Sequence, residues 1–427
     1  MTGVSTSGAQ ETNLTSQTSR LESPSQPEQP GPGSRSPNAG VAPQAQIVPW
    51  MAGFFLCGSL LGMLGGLVVA WRYYIDVDSR IIGLHFLVFD AGMLGVHHLT
   101  RRRAFLATGR LLTVVACALA IAGLVGLAFA SPPASVLWRL LGLFLLGSAT
   151  GAVFSGLFQM LQPLQMLQPA ATLNLNGVFF GMGALFVTLL IAGTYYLYSA
   201  QVETLILALI PLVFLVIWWT RKETPAPEPQ QPPPLREFGS VAAVLFALLF
   251  FFQFGNEWCL SAWLPLFLIR RLGCNPESAI FVLALFFFAL LLGRLVAQTI
   301  LGRVSHTKLL IGGTLTAMLG YFSLTMTDSL PGAAMAVVVI GCGFASIYPL
   351  VAEKAGRRFV SDPGFLDTFF VASTAGAIFA PWLLGYVDYY LGLALAMLIP
   401  AFGTVAVLVL VLLIMLEAKL MSVPKAA

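Results

Sequence analysis

Charge is what this chain has least of. Asp, Glu, Lys and Arg make up 9% of its 427 residues, and 58% are hydrophobic, whereas a soluble domain carries about 25% charged residues. So few charges cannot cover a surface that faces water on all sides. The net charge of +4 is small and spread over short loops, so no nucleic-acid partner is expected. Cysteine is scarce too. Cys57, Cys117, Cys259, Cys274 and Cys342 are scattered, odd in number and without CxxC spacing, which argues against a disulfide framework or a zinc site. His97 and His98 stand beside three arginines with no third ligand at suitable spacing. They read as a solvated loop edge, and no metal or other cofactor is expected. A membrane-embedded enzyme would need a nucleophile, a base or metal ligands gathered near one site. No such constellation is visible, so the chain is not read as an enzyme.

What the chain has is apolar length. A spanning helix needs about 20 mostly apolar residues. Segments of that kind cover 50–70, 81–96, 105–130, 136–160, 170–192 and 204–219, then 241–269, 279–300, 309–326, 333–351, 365–387 and 391–416. The fold class that follows is an all-α integral membrane protein of twelve transmembrane helices. The second six segments resemble a degenerate copy of the first six. Gly183-Ala184-Leu185-Phe186 matches Gly376-Ala377-Ile378-Phe379, Gly95 matches Gly293, and Trp71 matches Trp263. Each match is weak, but all share an offset of roughly 195 residues, as a duplicated six-helix unit gives. Two pseudo-symmetric six-helix bundles are therefore expected, a plan common among secondary transporters. Glycines four residues apart (Gly58, Gly62, Gly66; Gly177, Gly181) suit close helix packing in lipid.

Residues 1–46 are rich in Ser, Thr, Pro, Gln and Gly, and such a stretch cannot bury enough surface to fold. They read as a disordered cytoplasmic tail rather than a signal peptide, since no apolar core follows a basic start. The expected organisation continues with an N-terminal bundle at 47–220, a cytoplasmic linker at 221–238, a C-terminal bundle at 239–417 and a tail at 418–427. The linker's proline run favours a stiff, extended spacer. Lys and Arg in the short loops put both termini inside. Arg270 and Arg271, on the outer side, run against that bias. A bacterial inner membrane and a monomer are expected.

Ionisable residues at membrane depth are functional candidates by default. Gln253, Asn256, Glu257 and Ser261 fall at helical spacing and form one polar stripe, which suits an aqueous cavity or the bundle centre. The alternative is an interhelical cluster that only holds the fold. Trp258 and Trp263 could stack on a sugar ring, and Pro265 should bend or unwind the outer end of the helix. Asp90 lies mid-span in Leu87-Val88-Phe89-Asp90-Ala91-Gly92-Met93. It could exchange a proton or pair with a polar group on another helix. Asn174, Asn176, Asp367, Ser373 and Thr374 could bond a solute or join the halves, with packing the commoner role for each.

These residues resemble a known family. Gly255-Asn256-Glu257 with Trp263-Leu264-Pro265 is similar to the seventh helix of fucose-permease-like members of the major facilitator superfamily. Gly293-Arg294 followed by Arg303, Tyr348-Pro349 with Glu353 and Arg357, and Leu173-Asn174-Leu175-Asn176-Gly177 with Gly181 also fit that superfamily. The resemblance implies alternating access, in which two halves rock about a central site, coupled to protons in many members. It places Glu257 in the cavity and suggests a cytoplasmic gate of Arg294, Glu353 and Arg357, with Arg294 pairing Glu353 when the inner side is closed. The chain also departs from the pattern. Its 95–103 loop lacks the usual acidic residue, and the first and fourth spans lack the coupling carboxylates of fucose-permease-like symporters. A carried proton would then ride on Glu257 or Asp90, or the protein is a uniporter.

The leading expectation is a secondary transporter for a small polar organic solute, a sugar for example, with proton coupling, the lipid bilayer being its only other partner. An exporter of amphipathic compounds is the alternative within transport, suggested by phenylalanines at 250–254 and 286–288, although these could simply face lipid. A transport-inactive membrane sensor is the alternative outside it.

Overall fold

Three of the twelve spans are broken, and each break sits three residues ahead of a proline. The computed structural model describes residues 42–75, 77–102, 109–167, 169–220, 240–300, 303–359 and 365–422. Its helices are α1 (Ala42–Ala70), α2 (Ser79–Arg102), α3 (Gly109–Phe129), α4 (Val136–Leu167), α5 (Pro169–Thr194), α6 (Ala200–Leu207), α7 (Leu209–Trp219), α8 (Val241–Leu272), α9 (Pro276–Ile300), α10 (His306–Met326), α11 (Leu330–Ala345), α12 (Ile347–Arg358), α13 (Phe365–Leu391), α14 (Leu393–Ala396) and α15 (Leu398–Ser422). Twelve spans result, because α6 with α7, α11 with α12 and α14 with α15 each cross once. The interruptions fall at Ala208, Ser346 and Met397, ahead of Pro211, Pro349 and Pro400. Proline donates no N–H and collides with the carbonyl four residues back, so the turn before it is where a helix gives way.

Pro265 behaves differently. The sequence suggests a bent or unwound outer end, yet α8 runs on through Pro265 to Leu272 and stops at Gly273, whose φ of 62° is the left-handed conformation glycine adopts freely. Residues 264–268 are buried, and neighbouring helices hold the turn in place. Residues 1–41 of the expected tail, the linker at 221–238, Arg103, the 159–168 side chains, the Asp367 side chain and the last five residues lie outside what is described, whereas 42–46, expected to belong to the disordered tail, form the first turn of α1.

The bundle has two halves, α1–α7 and α8–α15, and the helix joints of one recur in the other. Gly183 on α5 packs onto the Phe55 carbonyl of α1, and Gly376 on α13 onto the Phe251 carbonyl of α8. Gly147 on α4 packs onto the Phe89 carbonyl of α2, and Gly341 on α11 onto the Phe286 carbonyl of α9. The offsets again lie near roughly 195 residues, so the duplication seen in the sequence is a duplication of backbone contacts. Lipid gives no hydrophobic drive for helices to associate, and close backbone approach supplies packing instead. The halves meet along two seams, α2 against α13 and α5 against α9.

The phenylalanines at 250 and 286–287 are not lipid-facing. Phe250, Phe286 and Phe287 are buried, Phe250 against Tyr348 and Phe369, while Phe288 is exposed. Phe250 points toward α12 and α13, and Phe286 and Phe287 pack on each other inside α9's buried face.

A Cβ at Gly376 would strike backbone, whereas one at Gly126 meets nothing within 4 Å. Gly376→Ala should cost about 1–3 kcal/mol by overpacking and lower the melting temperature of the detergent-purified protein. Gly126→Ala should leave it level or slightly higher, since alanine is the better helix former.

Candidate functional site

Asp90 enters a cavity between the halves. The space is lined by Leu61, Leu64, Phe86 and Asp90 from the first half and by Trp258, Ser261, Ala262, Ala377 and Pro381 from the second. Its volume is about 10 Å³, room for about one water molecule. Asp90 is 5% exposed, and among the described residues no hydrogen bond or ion pair reaches it. The alternative of a structural pair for Asp90 is therefore not realised here. His97, two turns further along α2, bonds Ser155 through Nδ1 at 3.1 Å and lies against the Phe370 ring.

The polar stripe of α8 divides. Ser261 lines the cavity. Asn256 turns away into its own half, toward Thr404 at 3.5 Å, while its backbone carbonyl accepts from Tyr321 Oη at 3.3 Å. Glu257, 6% exposed, stands 3.8 Å from Nη2 of Arg294 on α9. Gln253 is buried one turn before Glu257. Trp258 lines the cavity and meets Phe180 edge-on. Trp263 does not line it. Fully buried, it donates from Nε1 to the Pro381 carbonyl at 3.0 Å and packs on Phe86. Five residues along a helix turn a side chain well away from Trp258, so only one of the two indoles can face the cavity.

Let the side at which α15 ends be the terminal side and the other the far side. On the terminal side Arg294 crosses the seam, and its Nη1 donates to the Gly177 carbonyl of α5 at 2.5 Å. A Cβ on Gly177 would lie 3.0 Å from that nitrogen, so the glycine spacing read as helix packing serves a guanidinium. Phe154 and Phe158 of α4 close on Phe370 of α13 at the same end. The expected pairing of Arg294 with Glu353 is not made. Glu353 is held within the second half by His306 Nε2 at 3.2 Å and by Arg357 one turn along. Arg294 faces α5 while α12 presents Glu353 to α10, so the two side chains diverge.

On the far side lies a network the sequence reading missed. Arg270 Nη1 pairs with Asp388 at 2.8 Å and donates to Ser79 Oγ at 3.1 Å, and its Nη2 donates to the Tyr73 carbonyl at 3.2 Å. Ser79 also donates to Asp388. Two residues from each half are thus tied together. Arg80 lies over the Tyr389 ring, 3.7 Å from its centre, and pairs with Asp78 at 2.7 Å. The Arg80 hydrogen bond holds the Asp78 carboxyl below the usual range. Arg271 bonds the Thr325 carbonyl at 2.7 Å and pairs with Asp328. Arg270 and Arg271 depart from the loop-charge bias because both are committed to partners. Asp388 lies one residue beyond the apolar segment at 365–387, where composition alone does not mark a residue as buried.

Both ends of the seam are closed around a space for one water. Breaking the far-side tie should open that end. In a chain with its native cysteines replaced and a cysteine at Leu64, Asp388→Asn should raise labelling by a membrane-impermeant maleimide by about ten- to a hundredfold. That is the effect of removing roughly 1.5–3 kcal/mol from the closed state. Unchanged labelling would show that the network does not hold this end shut.

Residues 168–361 match the family model of the Major Facilitator Superfamily. An uncharacterised MFS-type transporter of Yersinia pestis is 27% identical over 178 residues, 42% of this chain and 45% of that protein. The match thus spans less than half the relative's length. In three dimensions the chain resembles the Escherichia coli fucose:proton symporter FucP (TM-score 0.59, 15% identity, covering 87% of this chain and 98% of the other). It also resembles a bacterial homologue of the human lysosomal transporter Spinster (TM-score 0.65, 14% identity, 90% and 98%) and the nucleoside transporter NupG (TM-score 0.65, 11% identity, 87% and 99%). By sequence over 168–361, and by fold over most of its length, the chain resembles the major facilitator superfamily transporters, the fucose symporter among them.

Proposed function

We propose that the chain is a secondary transporter that carries a small polar organic solute across a membrane by alternating access, coupled to protons. The observation that supports it best is the cavity shared by the two halves. An unpaired acid from one half faces a hydroxyl and an indole from the other, and both ends of the seam are shut. An acid left without a partner at membrane depth is costly for a structural role alone. A site between rocking halves gives it a use. Glu257, Asp90, Trp258 and Ser261 are the candidates for solute and proton contact, with Gln253 beside Glu257. Asn256 and Trp263 hold the C-terminal half around them. Arg294 is the terminal-side gate. Glu353 and Arg357 brace the end of the α11–α12 span.

In this reading the protein acts as a monomer in a bacterial inner membrane with its terminal side in the cytoplasm. The basic residues described on that side, Arg303, Lys308, Lys354, Arg357, Arg358 and Lys419, fit that orientation. The bundles correspond to residues 47–220 and 239–417, joined by the 221–238 linker.

Purified protein in liposomes loaded with a pH-sensitive dye tests this. Monosaccharides, amino acids, nucleosides and small organic acids are added in turn. At least one class should enter faster than in protein-free vesicles and change internal pH, and Asp90→Asn or Glu257→Gln should abolish the pH change. Entry without a pH change would make the protein a uniporter. No entry of any class would contradict the proposal and favour a sensor.

A further inference from the structure

Arg294 brings five N–H donors to a place where it is 5% exposed, and only one donates in a hydrogen bond among the described residues. Nε is buried without an acceptor. Glu257 stands 3.8 Å from Nη2, beyond hydrogen-bond distance. One turn from Glu257, Gln253 is 1% exposed; its amide is turned toward the Glu257 carboxyl, but neither amide atom completes a hydrogen bond of full geometry. Asn174 lies on the Gly177 face of α5, 6% exposed, with Nδ2 unused. Buried polar atoms are paired in the great majority of cases, so several orphans around one guanidinium need an explanation. The one acceptor Arg294 does have, the Gly177 carbonyl, comes from the opposite half.

The unused groups have a chemical complement. The Nε–Nη2 edge of a guanidinium takes two coplanar oxygens side-on. Nη1 is occupied, and on the Nε–Nη2 edge Nε has no acceptor while Nη2 has only the ion pair with Glu257 at 3.8 Å. The Gln253 amide can donate to the same ligand. We infer that the solute is a small monoanion presenting two coplanar oxygens, a monocarboxylate being the organic example, which binds the Nε–Nη2 edge of Arg294 and crosses together with one proton held on Glu257. This rests on the transport reading above and narrows its solute, away from the sugar that the family resemblance suggested.

Charge conservation at membrane depth supports the stoichiometry. Arg294 and Glu257 sum to zero. An anion alone would leave the closed site at −1, and a proton alone would leave it at +1. Either uncompensated state is costly to carry through the membrane. An anion with a proton on the Glu257 carboxylate restores zero. The proton is taken from one solution and released to the other, with no other bond made or broken. The titratable groups that face Glu257 are Arg294 from α9, Tyr321 from α10 and Tyr348 from α12. Phenols are neutral near neutral pH, so Arg294 is the fixed charge against which Glu257 titrates. A neutral sugar would need neither the guanidinium edge nor the proton.

The test is uptake into proteoliposomes with the interior more alkaline than the medium. The probes are radiolabelled L-lactate, nitrate and D-glucose, each measured against protein-free vesicles. Lactate or nitrate should accumulate with the proton gradient and collapse with a protonophore. Accumulation should not respond to a potential imposed with potassium and valinomycin. Lactate without nitrate identifies an organic carboxylate, and nitrate as well identifies the oxyanion edge as sufficient. Glu257→Gln should lose accumulation but keep lactate exchange, and Arg294→Lys should lower uptake on the order of tenfold. The thermal stability of each variant separates misfolding from lost binding, and the wild-type panel needs no variant. Glucose uptake with both anions at background would overturn the inference while leaving the transport reading intact. So would anion uptake driven by the potential, or coupling that survives Glu257→Gln and is lost in Asp90→Asn. No uptake of any solute in the wider panel would overturn both.

Discussion

A charge buried at membrane depth must be compensated there, and in this chain the compensation is made at the joint between the halves. Arg294 sits beside Glu257 in its own half and reaches Gly177 in the other. Arg270 does the same on the far side, with Asp388 from its own half and Ser79 and Tyr73 from the opposite one. Taking two charges out of water costs several kcal/mol per ion before their attraction is counted. In the arrangement described, hydrogen bonds from the opposite half offset part of that cost. The same groups therefore neutralise charge and tie the halves together. Asp90 stands outside this compensation, facing a small space shared by the halves.

The rest of the architecture lets those charges meet. Glycines place helix backbones in direct contact at equivalent positions of each half, which makes each half a firmly packed body. Close backbone contacts also cross between the halves, where Gly83 and Gly385 bring α2 onto α13 and Gly65 packs onto the Ser261 carbonyl of α8. The seams add polar ties at their ends and aromatic side chains such as Phe370 against Phe154 and Phe158. The proline-linked breaks at Ala208, Ser346 and Met397 fall within spans, so bends are built in rather than left to chance.

Much of this plan was legible in the sequence. Apolar length gave twelve spans, and the shared offset of weak matches gave the duplication, because helix-packing glycines must sit at fixed heights in both copies. The polar stripe of α8 was legible only as a stripe. Spacing along a helix cannot tell which neighbour each side chain meets, and Asn256 meets α15 while Ser261 meets the cavity. The pairing of Arg294 went to Glu257 and Gly177 rather than Glu353. A glycine carbonyl in a distant span leaves no mark in sequence as the acceptor of a guanidinium. Asp388, Ser79 and Arg270 are far apart along the chain and lie at span ends, where composition separates membrane from loop least sharply. Glu203 lies at such a span end as well. It is 2% exposed at the start of α6 and accepts a hydrogen bond from Thr194.

In the proposed cycle two rigid halves exchange which end of the seam is closed, and the Arg294–Gly177 clasp holds the terminal side shut. Distances between paired spin labels in lipid nanodiscs test it most directly. One pair at Leu137 and Met335 reports the far side, and another at Trp219 and Leu420 the terminal side, all four positions being exposed. In a cysteine-replaced background, Arg294→Lys should lengthen the terminal-side distribution while the far-side distribution stays the same or shortens. Distributions that remain single and unchanged at both sides, or that lengthen together, would contradict rocking halves joined by that clasp.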